Sequence, residues 1–174
     1  GERCLAGSIL VPVGPVHAEA RDRLVESARR MTVGDGMEPG VDMGPVISRE
    51  HMKKVEGYLD IAAGEGATVA LDGRKIERKG DGFILGPSIV DKVEPGMRLA
   101  KEEIFGPVAT LFRFKTEADA IRLANDSEYG LAACIWTNDL KRAHRLAGAI
   151  EAGQIYVNEY FAGGVETPFG GFKM

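Results

Sequence analysis

Apolar residues recur at two spacings in this chain, and the switches between them mark out the elements. Residues 8–13 are rich in Ile, Leu and Val and alternate loosely, which predicts a buried strand. Val16, Ala20, Leu24 and Ala28 then share one helical face with arginines opposite, predicting an amphipathic helix over 16–31. Residues 34–45 hold Gly34-Asp35-Gly36, Pro39-Gly40 and Gly44-Pro45, and read as an irregular loop. Ser48 is the expected N-cap of a second helix carrying Met52, Val55 and Leu59 inward. That helix ends at Gly64-Glu65-Gly66, and 67–71 reads as a short strand.

The charged, glycine-rich stretch 72–82 predicts a surface hairpin, with 74–81 as a solvated turn, and 83–93 reads as extended. A strand follows over 108–114. Thr116 then caps a helix to Asn125, with Ala120, Ile121 and Ala124 inward. Residues 131–136 read as a strand. Asn138 caps a helix with Leu140, Ala143, Ala147 and Ile150 on one face, and 154–157 is the last strand. Strand and helix alternate through most of this, which argues for an α/β fold with a mostly parallel sheet and helices on its faces. No internal repeat or boundary is visible, so 1–174 reads as one domain.

Composition narrows the class. The chain has 174 residues, 44% hydrophobic and 28% charged, enough to bury a proper core. Net charge is −4 with a pI near 5.5, and the charges are interspersed, so no basic footprint points to nucleic acid. No apolar run approaches the ~20 residues of a membrane-spanning helix. Two cysteines make no disulfide framework, and unpaired thiols suit a reducing cytoplasm. Cys134, in the apolar run 131–136, reads as a small buried thiol. His17, His51 and His144 lack metal-ligand spacing and read as solvent-facing or satisfied side chains, so no metal is expected.

Three segments hold the remaining chemistry. The chain opens Gly1-Glu2-Arg3-Cys4, followed by the small residues Ala6-Gly7-Ser8. A cysteine near a terminus is, without context, more often structural or incidental than reactive. Here Arg3 is adjacent, and a nearby cation favours thiolate over thiol. Far downstream runs Lys101-Glu102-Glu103-Ile104-Phe105-Gly106-Pro107-Val108. Paired acids on a turn are commonly just solvated, and Phe105 alone would pass for a core aromatic. The third segment pairs Gln154-Ile155-Tyr156-Val157-Asn158 with Thr167-Pro168-Phe169-Gly170-Gly171-Phe172-Lys173.

In this order, the three segments resemble the C-terminal catalytic part of an aldehyde dehydrogenase. Gly44-Pro45-Val46-Ile47 and Gly86-Pro87-Ser88-Ile89-Val90 also match runs typical of that family. The resemblance implies a Rossmann-like α/β catalytic domain with helices on both sheet faces. It implies that Cys4 is the nucleophile that forms a thioester with a small aldehyde, its own backbone N–H helping to hold the oxyanion. It implies that Glu103 accepts hydrogen bonds from the ribose hydroxyls of NAD or NADP, that Phe105 lies beside the nicotinamide, and that Phe169 lies near the substrate. Asn158 is expected to tie its loop to the strand, and 158–164 to help line the aldehyde entrance. A homo-oligomer is implied as well.

Several family features have no counterpart here: most of the cofactor-binding domain, the general-base glutamate, the oxyanion-hole asparagine, the lysine at the adenosine ribose, and the C-terminal assembly strand. With no initiator methionine, the chain reads as a piece of a longer protein, negligibly active when isolated. Two rival readings remain open at this level. In a CoA-acylating semialdehyde dehydrogenase, CoA rather than water takes the acyl group and Arg3 meets a carboxylate, although Pro168-Phe169-Gly170-Gly171 favours the hydrolytic branch. In a non-catalytic assembly module, exposed sheet edges would self-pair.

Overall fold

The apolar run at 88–91 becomes β3 (Ser88–Asp91), buried along its whole length in a computed structural model that describes residues 1–77, 82–161 and 164–174. It lies inside a four-stranded sheet of order β1-β4-β3-β2, with β1 at Ile9–Leu10, β2 at Thr68–Leu71 and β4 at Val108–Leu111. Pairing of β1 with β4 and of β4 with β3 is parallel, and β2 runs antiparallel at the other edge. Helix α1 (His17–Arg29) covers one face, placing Ala28, Leu24 and Val25 against Ile89 and Leu111. Val90 points to the opposite face by the period of the strand and is equally buried, so both faces are covered.

Helix α2 (Arg49–Gly64) starts where Ser48 accepts a hydrogen bond from His51 N–H, as its sequence predicts. Met52, Val55, Tyr58, Leu59 and Ala62 form its buried stripe. A short helix, α3 (Arg98–Lys101), precedes the loop at 102–106. These elements belong to one compact unit, Gly1–Lys115.

A second unit, Thr116–Met174, contains α4 (Glu117–Asn125), β5 (Ala132–Ile135), α5 (Leu140–Ala149) and β6 (Gln154–Val157). Strands β5 and β6 pair in parallel, and Thr116 caps α4 through Asp119 N–H.

The structure corrects several expectations. Of 8–13 only Ile9 and Leu10 form a strand, and Ile9 is exposed because β1 is an edge with a single neighbour. Strands β2 and β3 are antiparallel neighbours, as a hairpin requires, yet Gly73–Lys75 forms a 3₁₀ turn with Gly73 buried. Arg74 is not a solvated turn residue, since it donates to both Asp72 and Asp60. Residues 78–81 of that expectation lie outside the described residues. Asp139, not Asn138, caps α5, its carboxylate accepting from Arg142 N–H. Leu140 and Ala124 are exposed rather than inward. Val16 is exposed too, because it sits in a 3₁₀ turn and His17 takes the inward position. His17 Nδ1 accepts from Arg113 Nε, and its Nε2 lies 3.0 Å from the buried Asp91 carboxylate without hydrogen-bond alignment. Arg21 also donates to Asp91, which is how a carboxylate is accommodated at the end of the core strand.

Candidate functional site

Cys4 sits at the exposed corner of a turn closed by Ala6 N–H donating to the Arg3 carbonyl. Leu5, the next residue, is buried and anchors that turn. Among the described residues the Cys4 N–H donates to no other group. The thiol is therefore presented to solvent with its own amide free beside it.

The segment before Cys4 runs against the loop that holds the second motif. Gly1 packs so closely on the Gly106 carbonyl that a Cβ at position 1 would overlap it. Glu2 Oε1 accepts from Ile47 N–H at 3.2 Å and lies 3.1 Å from His51 Nε2. The Phe105 carbonyl accepts from His51 Nε2 at 2.7 Å; because a carbonyl only accepts, the ring must carry its proton on Nε2. Sequence-distant residues 1–2 and 105–106 thus share one neighbourhood.

One face of α2 organises the loop. His51, Val55 and Tyr58 are spaced i, i+4, i+7 and so lie in line. His51 takes the Phe105 carbonyl, Val55 packs against Gly106, and Tyr58 O–H donates to Glu102 Oε2 at 2.6 Å. Arg98 adds two hydrogen bonds to Glu102 and stacks over the Tyr58 ring. Hydrogen bonds from Arg98 first, then Tyr58, pull the Glu102 carboxyl down to about 2. Burial first, then the bond to Glu102, pushes the Tyr58 hydroxyl up. Glu102 is therefore an anchor, not a solvated bystander. Glu103, its neighbour, is left exposed.

Phe105 adopts φ +55°, the left-handed region that non-glycine residues avoid, and the residue is 39% exposed. With Glu102 anchored on one side and Gly106 on the other, the loop turns Glu103 and Phe105 outward together. Sequence reasoning missed His51 and Tyr58. Their spacing on α2 was visible, but nothing local says that a loop fifty residues on packs there.

In the second unit, Asn158 at φ +56° accepts from Thr137 N–H and donates to Thr137 O, each at 2.8 Å. It thus joins the end of β6 to the chain leaving β5, the tying role expected of it. Lys173 Nζ donates to the Asn125 and Ser127 carbonyls, and Gln154 holds the Pro168 carbonyl. Phe169 is exposed on the loop so fixed. Of the proposed entrance 158–164, residues 162–163 lie outside the described residues. Cys134 is half-buried, its thiol donating to the Glu159 carbonyl, and burial pushes its pKa up. Among the described residues no cluster of three or more His, Cys, Asp or Glu is placed to hold a metal ion, and no helix is long and apolar enough to cross a membrane.

The first unit thus joins an α/β fold of mostly parallel strands to an exposed turn-borne thiol and a loop with an exposed carboxylate and aromatic ring. The whole chain, residues 1–174, matches the model of the aldehyde dehydrogenase family, and the chain belongs to that family. It is 44% identical to 5-carboxymethyl-2-hydroxymuconate semialdehyde dehydrogenase of Escherichia coli, aligning over 99% of this chain and 38% of that protein. It is 40% identical to aldehyde dehydrogenase 1A1 of Gallus gallus, over 100% of this chain and 34% of that protein. Among solved structures it resembles betaine aldehyde dehydrogenase from Staphylococcus aureus in complex with NAD+, at TM-score 0.94 and 36% identity, over 99% of this chain and 35% of the other. The chain spans roughly a third of the length of these relatives.

Proposed function

We propose that this chain is the catalytic-domain portion of an NAD(P)-dependent aldehyde dehydrogenase that oxidises a small aldehyde to its carboxylic acid. The observation that carries the reading is Cys4 exposed on its turn while Gly1 packs on the Gly106 carbonyl and Glu2 meets His51, which holds the Phe105 carbonyl. Glu103 and Phe105 suit a nicotinamide nucleotide: an exposed carboxylate accepts from two vicinal ribose hydroxyls, and an exposed ring lies flat beside a planar heterocycle. When bound, NAD(P)+ supplies the hydride acceptor.

Cys4 supplies the covalent chemistry. The Cys4 thiolate adds to the aldehyde carbon, forming a C–S bond and moving the carbonyl electron pair onto oxygen. The Cys4 backbone N–H donates to that oxyanion. When the carbonyl re-forms with loss of hydride, a thioester remains on Cys4. Water adds to the thioester carbon, the thiolate departs, and the acid is released with one proton. Phe169 is assigned to the aldehyde pocket. The whole protein is assigned to a reducing cytoplasm and to a homo-oligomer, neither on nucleic acid nor in a membrane.

The test is NADH formation from a panel of simple aldehydes by the full-length protein and its Cys4→Ala variant. Loss of turnover in the variant is expected, and retained turnover overturns the reading. Product formation that requires CoA would replace hydrolysis with acyl transfer.

A further inference from the structure

We propose that His51 is a positioning residue of this site: its ring, donating Nε2–H to the Phe105 carbonyl and lying against the Glu2 carboxylate, holds the segment bearing Cys4 against the loop bearing Glu103 and Phe105. The inference rests on the roles given above to those three residues.

Three stretches of chain meet at this ring. Residues 1–2 have no regular structure of their own and are held by tertiary contacts. Glu2 supplies most of these, accepting from Ile47 N–H and lying 3.1 Å from His51 Nε2. Phe105 has a strained left-handed backbone that persists only if its surroundings enforce it, and His51 supplies the donor to its carbonyl at 2.7 Å. The His51 backbone is itself fixed, because its N–H donates to Ser48 Oγ in the first turn of α2. Its side chain is only 16% exposed, so water competes poorly for the ring proton. A thiol and a cofactor-facing loop must keep their separation to within a fraction of an ångström for hydride transfer. His51 meets the Glu2 carboxylate on one segment and the Phe105 carbonyl on the other.

The variants are His51→Leu, which keeps bulk and loses the donor, and His51→Gln, which keeps an N–H donor of similar reach. In the full-length protein, His51→Leu is expected to lower kcat about tenfold with aldehyde KM changed less than about twofold, and His51→Gln to recover most of the loss. In the 174-residue chain, hydrogen exchange at the Ile47 amide reads the latch without any turnover: it should quicken in His51→Leu and Glu2→Ala and return in His51→Gln. Unchanged Ile47 exchange in His51→Leu overturns the latch. Wild-type kcat in His51→Leu, or equal loss in the Leu and Gln variants, overturns the positioning role. Full turnover by Cys4→Ala instead brings down the underlying chemical assignment, whatever Ile47 does.

Discussion

Single side chains in this protein are constrained most where backbones come close. A Cβ at Gly106 would lie 2.6 Å and 2.9 Å from the Val55 methyl carbons, on a helix with no slack to retreat. Gly106→Ala should therefore destabilise the chain by about 1–3 kcal/mol in denaturant unfolding, with Val55→Ala in the same background recovering part of it. Phe105 presents the opposite case. Its left-handed φ costs about 1–2 kcal/mol that glycine would not pay, so Phe105→Gly should match or exceed the native melting temperature. In the full-length protein the same change should weaken NAD(P) binding, which titration would read. The two cysteines should separate chemically as well. Burial disfavours the Cys134 thiolate, so iodoacetamide at neutral pH should label exposed Cys4 first. Residue identity in the motifs was legible from the sequence, but the division of labour between Glu102 and Glu103 was not. Which carboxylate is tied depends on Arg98 and Tyr58, and only the folded chain brings Tyr58 there.

Helix α2 is the element on which the site depends. Its buried stripe was readable from spacing, and so was its Ser48 cap, because both are local: the one follows from helical period, the other from a hydroxyl three residues before a free N–H. Ser48→Ala should cost about 1 kcal/mol in unfolding free energy. The clamp on Glu102 links α2 to α3 and gives the protein an acid-sensitive joint. The Glu102 carboxyl is held at about 2 against an ordinary 4.5, so its stabilising share is complete above the ordinary value and disappears as pH falls from there toward 2. Urea midpoints of Glu102→Gln across the acid range should lack that part of the decline. At neutral pH the variant should already be the weaker of the two. Apolar runs at 8–13 and 131–136 look alike in sequence, yet the first keeps only Ile9–Leu10 as strand and the second forms Ala132–Ile135.

For the molecule as a whole, the 174-residue chain should form no measurable NADH from simple aldehydes. Losing one oxyanion donor alone costs on the order of 10²–10³ in rate, and the relatives it resembles are about three times as long. Turnover by the isolated chain comparable to the full-length protein would contradict this. Its alternating α/β order, the buried stripe of α2, the Ser48 and Thr116 caps and the motif residues Cys4, Glu103, Phe105 and Phe169 were present in the amino-acid order alone, because periodicity and capping are interactions between near neighbours. Folding alone decided that β2 joins antiparallel, that the chain groups into two compact units, and that residues 1–2 meet the Phe105–Gly106 segment at His51. Those outcomes depend on contacts between residues far apart along the chain, whose energies come from burial and shape rather than from any local preference.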